Sequence, residues 1–421
     1  PLPLLLFLCS LPSKPTVAPF PLVLLVLDWL RGRKLSVRLA SEKAPFFLLA
    51  AALSAVAVIV QYSPGEQHST LRASWSDPLV GLTNLVFYLG KTLFPVNLSA
   101  FYPYPRPLAA HLPALLAQLC LLAALSALVI RSLRSTRVAA AAAGFSLAML
   151  LPVLKLIPFG EEFARADRYT YLPSLGVAIL AGIGFDRAWR SGARRARAVL
   201  IASGILCALS LAVLSAARSK VWRDTIVLFT DVLEKHPGVA VAYANMGTAY
   251  GHRGEYEKEL ECYRTFLRIR PRRRGIHQNV AVAYQQLGNR AALRGEEASA
   301  AAYFAREAES YRILIEEQGE SARLYNLLGV ALGRSGSYRE AVDSLERAII
   351  LRPDDPDVYN NLGLALGYLG YLDQSREAFE TSIRLAPDAL EPRANLEELL
   401  QSIRPARPPR PGEHEVRPDN R

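Results

Sequence analysis

The second half of the chain repeats itself with a period of about 34 residues, and that step limits the possible folds more than any other feature of the sequence. Gly247 and Ala281 stand one step apart (281 − 247), as do Gly329 and Gly363 (363 − 329). The pairs Gly254/Gly288, Gly336/Gly370, Pro237/Pro271 and Pro353/Pro387 keep the same step. A small residue where two helices cross, a glycine between them and a proline after the second describe a helix pair. Such a pair cannot bury its apolar face alone, so its neighbours must stack on it as an α-solenoid.

This set of landmarks is the tetratricopeptide pattern. Trp222 to Pro237 reads as a half-repeat and Ala240 to Pro271 as a full one. A further unit opens at Arg274 and is stretched, because the step from Ala281 to Gly329 (329 − 281 = 48) exceeds the period by 14. Ala322 to Pro353 and Pro356 to Pro387 are regular repeats, and Leu390 to Ser402 reads as a solvating cap helix. The array is therefore placed at residues 218–402. Residues 403–421, rich in Pro and Arg and poor in apolar side chains, are expected to be disordered.

An array of this kind spends its apolar positions on packing and is expected to bind a protein or peptide on its concave face. Asn245, Asn279, Asn361 and Asn395 fall at one position of successive units, with Leu327 breaking the series. Such a ladder resembles the one with which the O-linked N-acetylglucosamine transferase array grips an extended peptide backbone through side-chain amides. The other reading is that Asn in the Asn-Leu-Gly triplet serves helix packing.

Residues 1–217 are of a different kind. Apolar runs recur at Leu2 to Leu11, Val17 to Leu30, Ala44 to Gln61, Leu108 to Ile130, Val138 to Ile157, Tyr169 to Phe185 and Val199 to Ala217. A span needs roughly 20 apolar residues, so the expectation is an all-α, polytopic bundle of about six or seven membrane helices. The first two runs are short and broken by proline. Leu79 to Phe94 carries Asn84 and Lys91 and reads as a helix lying at the interface.

Orientation follows from the basic loops, since short cytoplasmic loops collect Lys and Arg. Arg31, Arg33, Lys34, Arg38 and Lys43 fill one loop, Arg131, Arg134 and Arg137 a second, and Arg187, Arg190, Arg194, Arg195 and Arg197 a third. Two spans separate each loop from the next, so the three agree. Residues 61–107 and 158–168 then lie outside, and the last span delivers the array to the periplasmic or extracytoplasmic side of the plasma (inner) membrane. The net charge of +11 is explained by these loops and the tail, and no basic helix with interleaved aromatics points to nucleic acid. Cys9, Cys120, Cys207 and Cys262 form neither a metal spacing nor a disulfide framework. A chain that opens on Pro1 reads as a fragment of a longer one.

Unusual chemistry is concentrated outside. Glu161, Glu162, Arg165, Asp167 and Arg168 precede a span whose mouth carries Tyr169 and Tyr171. Tyrosines and charges at a span end are ordinary anchoring and solvation, but acids and arginines this dense suit a polar ligand, and Arg suits bidentate phosphate contact.

The run Ala166-Asp167-Arg168-Tyr169-Thr170-Tyr171-Leu172-Pro173-Ser174-Leu175-Gly176 resembles the bacterial relatives of the transmembrane-and-tetratricopeptide protein O-mannosyltransferases, of the C-type glycosyltransferase fold. Lys91 to Pro105, Ser13 to Leu30 and the Val221-Trp222-Arg223-Asp224 entry into the repeats resemble them too. The resemblance implies a polytopic enzyme that takes a sugar from a polyprenyl-phosphate carrier and passes it to a hydroxyl of a protein acceptor held by the repeats. It would place Arg168, Arg165 and Lys14 on the carrier phosphate, and Tyr169 and Tyr171 along the lipid or sugar entry. Glu161, Glu162 or Asp167 would orient the acceptor or a divalent cation; no other cofactor is implied. The fold's catalytic acid belongs to an outer loop after a first span, and no segment here corresponds to it. Asp28 lies at the cytoplasmic end of its span and Asp77 in a different loop, so this piece is expected to be inactive and its full-length parent an enzyme. Two rivals stand beside this reading. A non-enzymatic membrane-anchored scaffold explains the repeats but not the Glu161 to Arg168 cluster, and a polysaccharide polymerase or ligase needs no peptide-binding array.

Overall fold

The computed structural model describes residues 2–13, 17–34, 36–61, 80–103, 112–132, 137–154, 163, 165–271 and 275–403. Among these the regular elements are all helical, joined by one isolated antiparallel bridge between Tyr102 and Arg165. The chain divides into two compact units, Pro1–Arg273 and Arg274–Arg421.

Among the described residues of the first unit the apolar runs form helices: α1 (Leu2–Ser13), α2 (Phe20–Leu30), α3 (Val37–Gln61), α4 (Val80–Leu93), α5 (Leu112–Ser132), α6 (Arg137–Leu150), α7 (Tyr171–Ser191) and α8 (Arg194–Val221). Helices α6 and α7 approach closely because Gly176 has no side chain: a Cβ there would lie 2.2 Å from Ser146 Oγ and 2.3 Å from the Ala142 carbonyl. Ser146 Oγ donates to the Pro173 carbonyl at 2.7 Å, which seals the same crossing. Val23 of α2 packs on Ala148 and Met149 of α6.

Two helices among the described residues are long and apolar enough to cross a membrane, at Val37–Val56 and Arg194–Val221. Phe20–Leu30, Leu116–Arg131 and Arg137–Val153 are apolar but shorter. Helix α8 buries none of its residues. A helix apolar on every face needs an apolar surround, from protein or from lipid, and within its own unit α8 has no such cover. Of the six or seven spans expected, two reach full length among the described residues, and three apolar helices are shorter.

The same unit continues into the array with α9 (Thr225–Lys235), α10 (Ala240–His252) and α11 (Tyr256–Ile269). Asp224 explains why the repeats start where they do: its Oδ1 accepts from the Ile226 and Val227 amides at 2.9 and 3.1 Å, capping α9, and Oδ2 pairs with Arg253.

The second unit holds α12 (Ile276–Leu293), α13 (Glu297–Gln318), α14 (Ala322–Arg334), α15 (Tyr338–Leu351), α16 (Pro356–Tyr368), α17 (Leu372–Leu385) and α18 (Glu391–Ile403). Gly329 meets Leu345 and Gly363 meets Phe379 at the crossings, each leaving only 2.6 Å for an added Cβ. In the stretched repeat two landmarks shift. Gly288, expected in the turn, lies inside α12 and is the crossing residue against Phe304, while the turn glycine is Gly295 with φ +72°. Ala281 is buried in α12 but is not the crossing position. Gly247, Gly288 and Gly329 are evenly spaced (288 − 247 equals 329 − 288), so the excess over two regular periods divides into seven before the crossing and seven after it. The excess lengthens both helices, α12 to 18 residues against 13 in α14 and α13 to 22 against 14 in α15.

The lengthened repeat buries Glu307 of α13. Gln285 Nε2 donates to one carboxyl oxygen at 3.1 Å and the other has no partner among the described residues. Burial pushes this carboxyl up to about 7, against the opposing pull of Arg334 and the Gln285 bond. The native chain therefore holds a proton that the unfolded chain releases near 4.5, so this contribution to stability is complete below that pH and is lost as pH rises to about 7. Glu307→Gln keeps the shape without the charge. It is expected to flatten the pH dependence of thermal unfolding between pH 5 and 8 and to raise stability at pH 8 by about 3 kcal/mol. Equal pH slopes in the two proteins would refute this account of Glu307.

Candidate functional site

The 94–103 and 165–170 segments of the first unit are organised by one face of α4. Thr83, Asn84, Phe87, Tyr88 and Lys91 recur at helical spacing; Thr83, Asn84 and Tyr88 are buried and Phe87 and Lys91 half-buried, so this face of the helix packs into protein and not along an interface. Asn84 is fully buried: Nδ2 donates to the Leu154 carbonyl at 3.0 Å, and Oδ1 accepts from Arg165 Nε. Arg165 Nη2 donates to Thr83 Oγ1 at 2.9 Å, and the guanidinium lies 4.7 Å from the Phe87 ring centre. The Arg165 carbonyl accepts from the Tyr102 amide at 3.0 Å. Burial lowers the affinity of Arg165 for its proton, and these contacts replace the lost water. Lys91 Nζ donates to the Val96 and Asn97 carbonyls at 2.7 and 3.0 Å, closing the turn after α4.

Asp167 joins the two loops. Its Oδ1 accepts from Tyr102 Oη at 3.0 Å and its Oδ2 from the Ser99 amide at 2.5 Å. Burial raises the Asp167 carboxyl, with the Tyr102 and Ser99 bonds opposing it, and burial together with the Asp167 charge raises Tyr102.

Arg168 is placed differently from Arg165. It is exposed, and its guanidinium lies 5.4 Å over Phe101, 5.4 Å over Phe163 and 5.1 Å over Tyr169. It forms no ion pair among the described residues, and its one hydrogen bond there is a long one of 3.4 Å to Tyr169 Oη. Ring contacts of this kind use none of the guanidinium's N–H donors as hydrogen bonds, so those donors are left for another partner. Tyr169 is half-buried between this platform and the Tyr88 cluster, and Tyr171 is exposed at the start of α7.

The array begins on this platform. Phe229 of α9 stacks on Phe101 at 5.9 Å and 11°, Phe101 meets Phe163 at 4.4 Å, and Val232, Val239 and Ala242 complete the apolar cluster. Lys235 Nζ donates to the Leu98 carbonyl at 2.8 Å and pairs with Asp231 at 2.6 Å, while Arg218 at the end of α8 holds Asp231 at 2.7 Å. His236 packs against the Tyr102 ring at 5.1 Å.

Of the residues singled out in the sequence, Arg165, Asp167, Arg168 and Tyr169 come together here; Lys14, Glu161 and Glu162 lie outside the described residues. Asn84, Ser99, Phe101, Tyr102, Phe229 and Lys235 were not singled out for the site. A polar residue inside an otherwise apolar run was the one available signal, and it pointed to Asn84. Among the described residues no group of three or more metal-ligating side chains forms.

The asparagines are less uniform than the sequence suggests. Asn361 Nδ2 donates to Asn326 Oδ1 at 2.9 Å and Asn395 Nδ2 to Asn360 Oδ1 at 2.9 Å, linking α16 to α14 and α18 to α16. Asn245 bonds its own helix at the Val241 carbonyl at 3.0 Å. Asn279 is exposed but sits nine residues before the crossing Gly288, against two for Asn245 before Gly247, so the lengthened helix carries it out of line. Asn361 also lines an open cavity of about 340 Å³ with Gly333, Arg334, Tyr338, Leu364 and Tyr368.

Sequence comparison agrees with the repeats. A tetratricopeptide-repeat family model matches residues 240–273 and 356–389, and a TPR-repeat model matches 334–370. The chain is 29% identical to the protein O-mannosyl-transferase Tmtc2 of Drosophila melanogaster over 31% of this chain and 13% of that protein. It is 32% identical to Drosophila Tmtc1 over 31% of this chain and 15% of that one. The match to TMTC3 of Mus musculus is 25% identical over 49% of this chain and 23% of the relative. The chain thus spans less than a quarter of the length of these curated relatives, and it resembles them as a repeat-bearing, O-mannosyl-transferase-like protein.

Replacing Asn84 by Ala would strip partners from the Leu154 carbonyl and Arg165 Nε together, at about 1–3 kcal/mol for each buried group. The 163–170 loop should then open more often. Cleavage by trypsin after the exposed Arg168, followed by mass spectrometry, is expected to speed up about tenfold or more, and an unchanged rate would show that Asn84 does not hold the loop.

Proposed function

We propose that this chain belongs to a polytopic membrane glycosyltransferase that takes a sugar from a polyprenyl-phosphate carrier and passes it to a hydroxyl of a protein acceptor outside the cytoplasm. The observation that carries the reading is Arg168: an exposed guanidinium on a three-ring platform, without an ion-pair partner among the described residues, just ahead of apolar α7. A carrier phosphate at the membrane surface would reach such a site, and the fork of N–H donors suits two phosphate oxygens. Arg165 supports this role by fixing the loop, since two of its donor groups already serve Asn84 and Thr83. Tyr169 and Tyr171 would flank the entry, while Asp167 would act by holding the loops together and the repeats by holding the acceptor. The similarity to protein O-mannosyl-transferases supports the reaction class.

In membranes bearing the full-length protein, Arg168→Lys should keep part of the sugar transfer and Arg168→Ala far less. Loss of a charged hydrogen bond worth about 1.5–3 kcal/mol corresponds to roughly a tenfold to hundredfold drop in catalytic efficiency. Wild-type transfer by Arg168→Ala with carrier below saturation would remove the phosphate role. Sidedness is tested separately. A reporter fused after Gln401 should be active only outside the cytoplasm, as the three Arg-rich loops require, and activity confined to the cytoplasm would overturn the reading.

A further inference from the structure

The platform under Arg168 is not made by the outer loops alone. Phe101 carries the guanidinium at 5.4 Å on the same ring that stacks against Phe229, a buried residue of the first half-repeat. The loop bearing Phe101 is gripped a second time by Lys235 Nζ on the Leu98 carbonyl, and Lys235 is steadied by Asp231, itself held by Arg218. Helix α9 therefore touches the loop at two points, one aromatic and one polar, on either side of Val232, which is fully buried. A ring held against two others, Phe163 and Phe229, has little freedom to tilt, and a guanidinium resting beside it keeps its place.

We propose that Phe229 is a positioning residue for Arg168: through Phe101, the first half-repeat sets the geometry with which the guanidinium meets a phosphate group. This rests on the phosphate role given to Arg168 above. It makes the start of the array part of the anion site, in addition to any hold the later repeats have on an acceptor. The shared chemistry is a phosphate group, borne by a lipid or free in solution.

The test uses the full chain in detergent micelles, with farnesyl phosphate as one probe and inorganic phosphate as the other, titrated by calorimetry. Phe229→Leu keeps an apolar side chain in the cluster but removes the flat ring. It is expected to weaken farnesyl phosphate binding about two- to fivefold, the scale of one exposed cation–π contact. Lys235→Met, which frees the Leu98 carbonyl and leaves the aromatic cluster whole, should act in the same direction. Phe229→Leu added to Arg168→Ala should cause no further loss, because the effect passes through Arg168. Melting curves run alongside separate positioning from folding, since a purely structural Phe229 would lower the melting temperature and leave affinity unmoved. If both single variants bind like wild type while Arg168→Ala binds more weakly, the positioning role is wrong and the phosphate site stands. If Arg168→Ala itself binds like wild type, both fall. A shift with farnesyl phosphate alone assigns the site to a lipid-borne phosphate, and an equal shift with inorganic phosphate assigns it to the anion as such; either supports the positioning role.

Discussion

Burial of the Arg165 guanidinium is the constraint on which the loops around α4 depend. A permanently charged group can leave water only where its N–H donors find acceptors, and here α4 supplies them in Asn84 and Thr83 while Phe87 covers the guanidinium face. Asn84 in turn needs the Leu154 carbonyl to complete its own amide. Helix α4, the end of the α6 segment and the 163–170 loop are thereby locked to one another. Because Arg165 is held inward, Arg168 three residues on lies outside over the rings. The contrast between the two arginines comes from partners, since their intrinsic chemistry is identical.

Asp167 and Phe101 carry that order outward in different ways. Asp167 binds the 97–102 turn by hydrogen bonds to Ser99 and Tyr102, and these work best when sheltered from water. Phe101 binds the same turn to the first half-repeat by ring packing. A polar and an apolar attachment on one short turn leave it few alternative arrangements. The proposed anion site would thus be built before a ligand arrives, which lowers the ordering cost of binding.

The stretched repeat shows how a solenoid absorbs an insertion. The extra length falls on both sides of the crossing, so that α12 has 18 residues against 13 in α14 and α13 has 22 against 14 in α15, while the crossing itself is kept. Gly288 opposite Phe304 then repeats the contact that Gly363 makes with Phe379. The lengthening has a chemical consequence, since it encloses Glu307 with one oxygen unpartnered. It also moves Asn279 away from the line of Asn361 and Asn395, whose amides bond to Asn326 and Asn360.

The sequence alone determined the helical class, the positions of the apolar helices and the regular repeats, because each depends on local period: apolar runs for the helices, and glycine and proline at a constant step for the repeats. It also brought the Arg165 to Tyr169 segment forward, by the density of charge beside an apolar run. It could not distinguish Arg165 from Arg168, because both are arginines in one short loop and their difference is set by two residues far back in the chain, Thr83 and Asn84. Nor could it register the stretched repeat correctly, since a fixed step carries Gly247 to Ala281 whether or not a neighbouring helix passes there. Only the close approach of Phe304 to Gly288 decides that crossing. The joining of Phe229 to Phe101 was hidden for the same reason. Contacts between distant segments follow from which faces meet when the chain packs, and neither composition nor spacing along the chain records that.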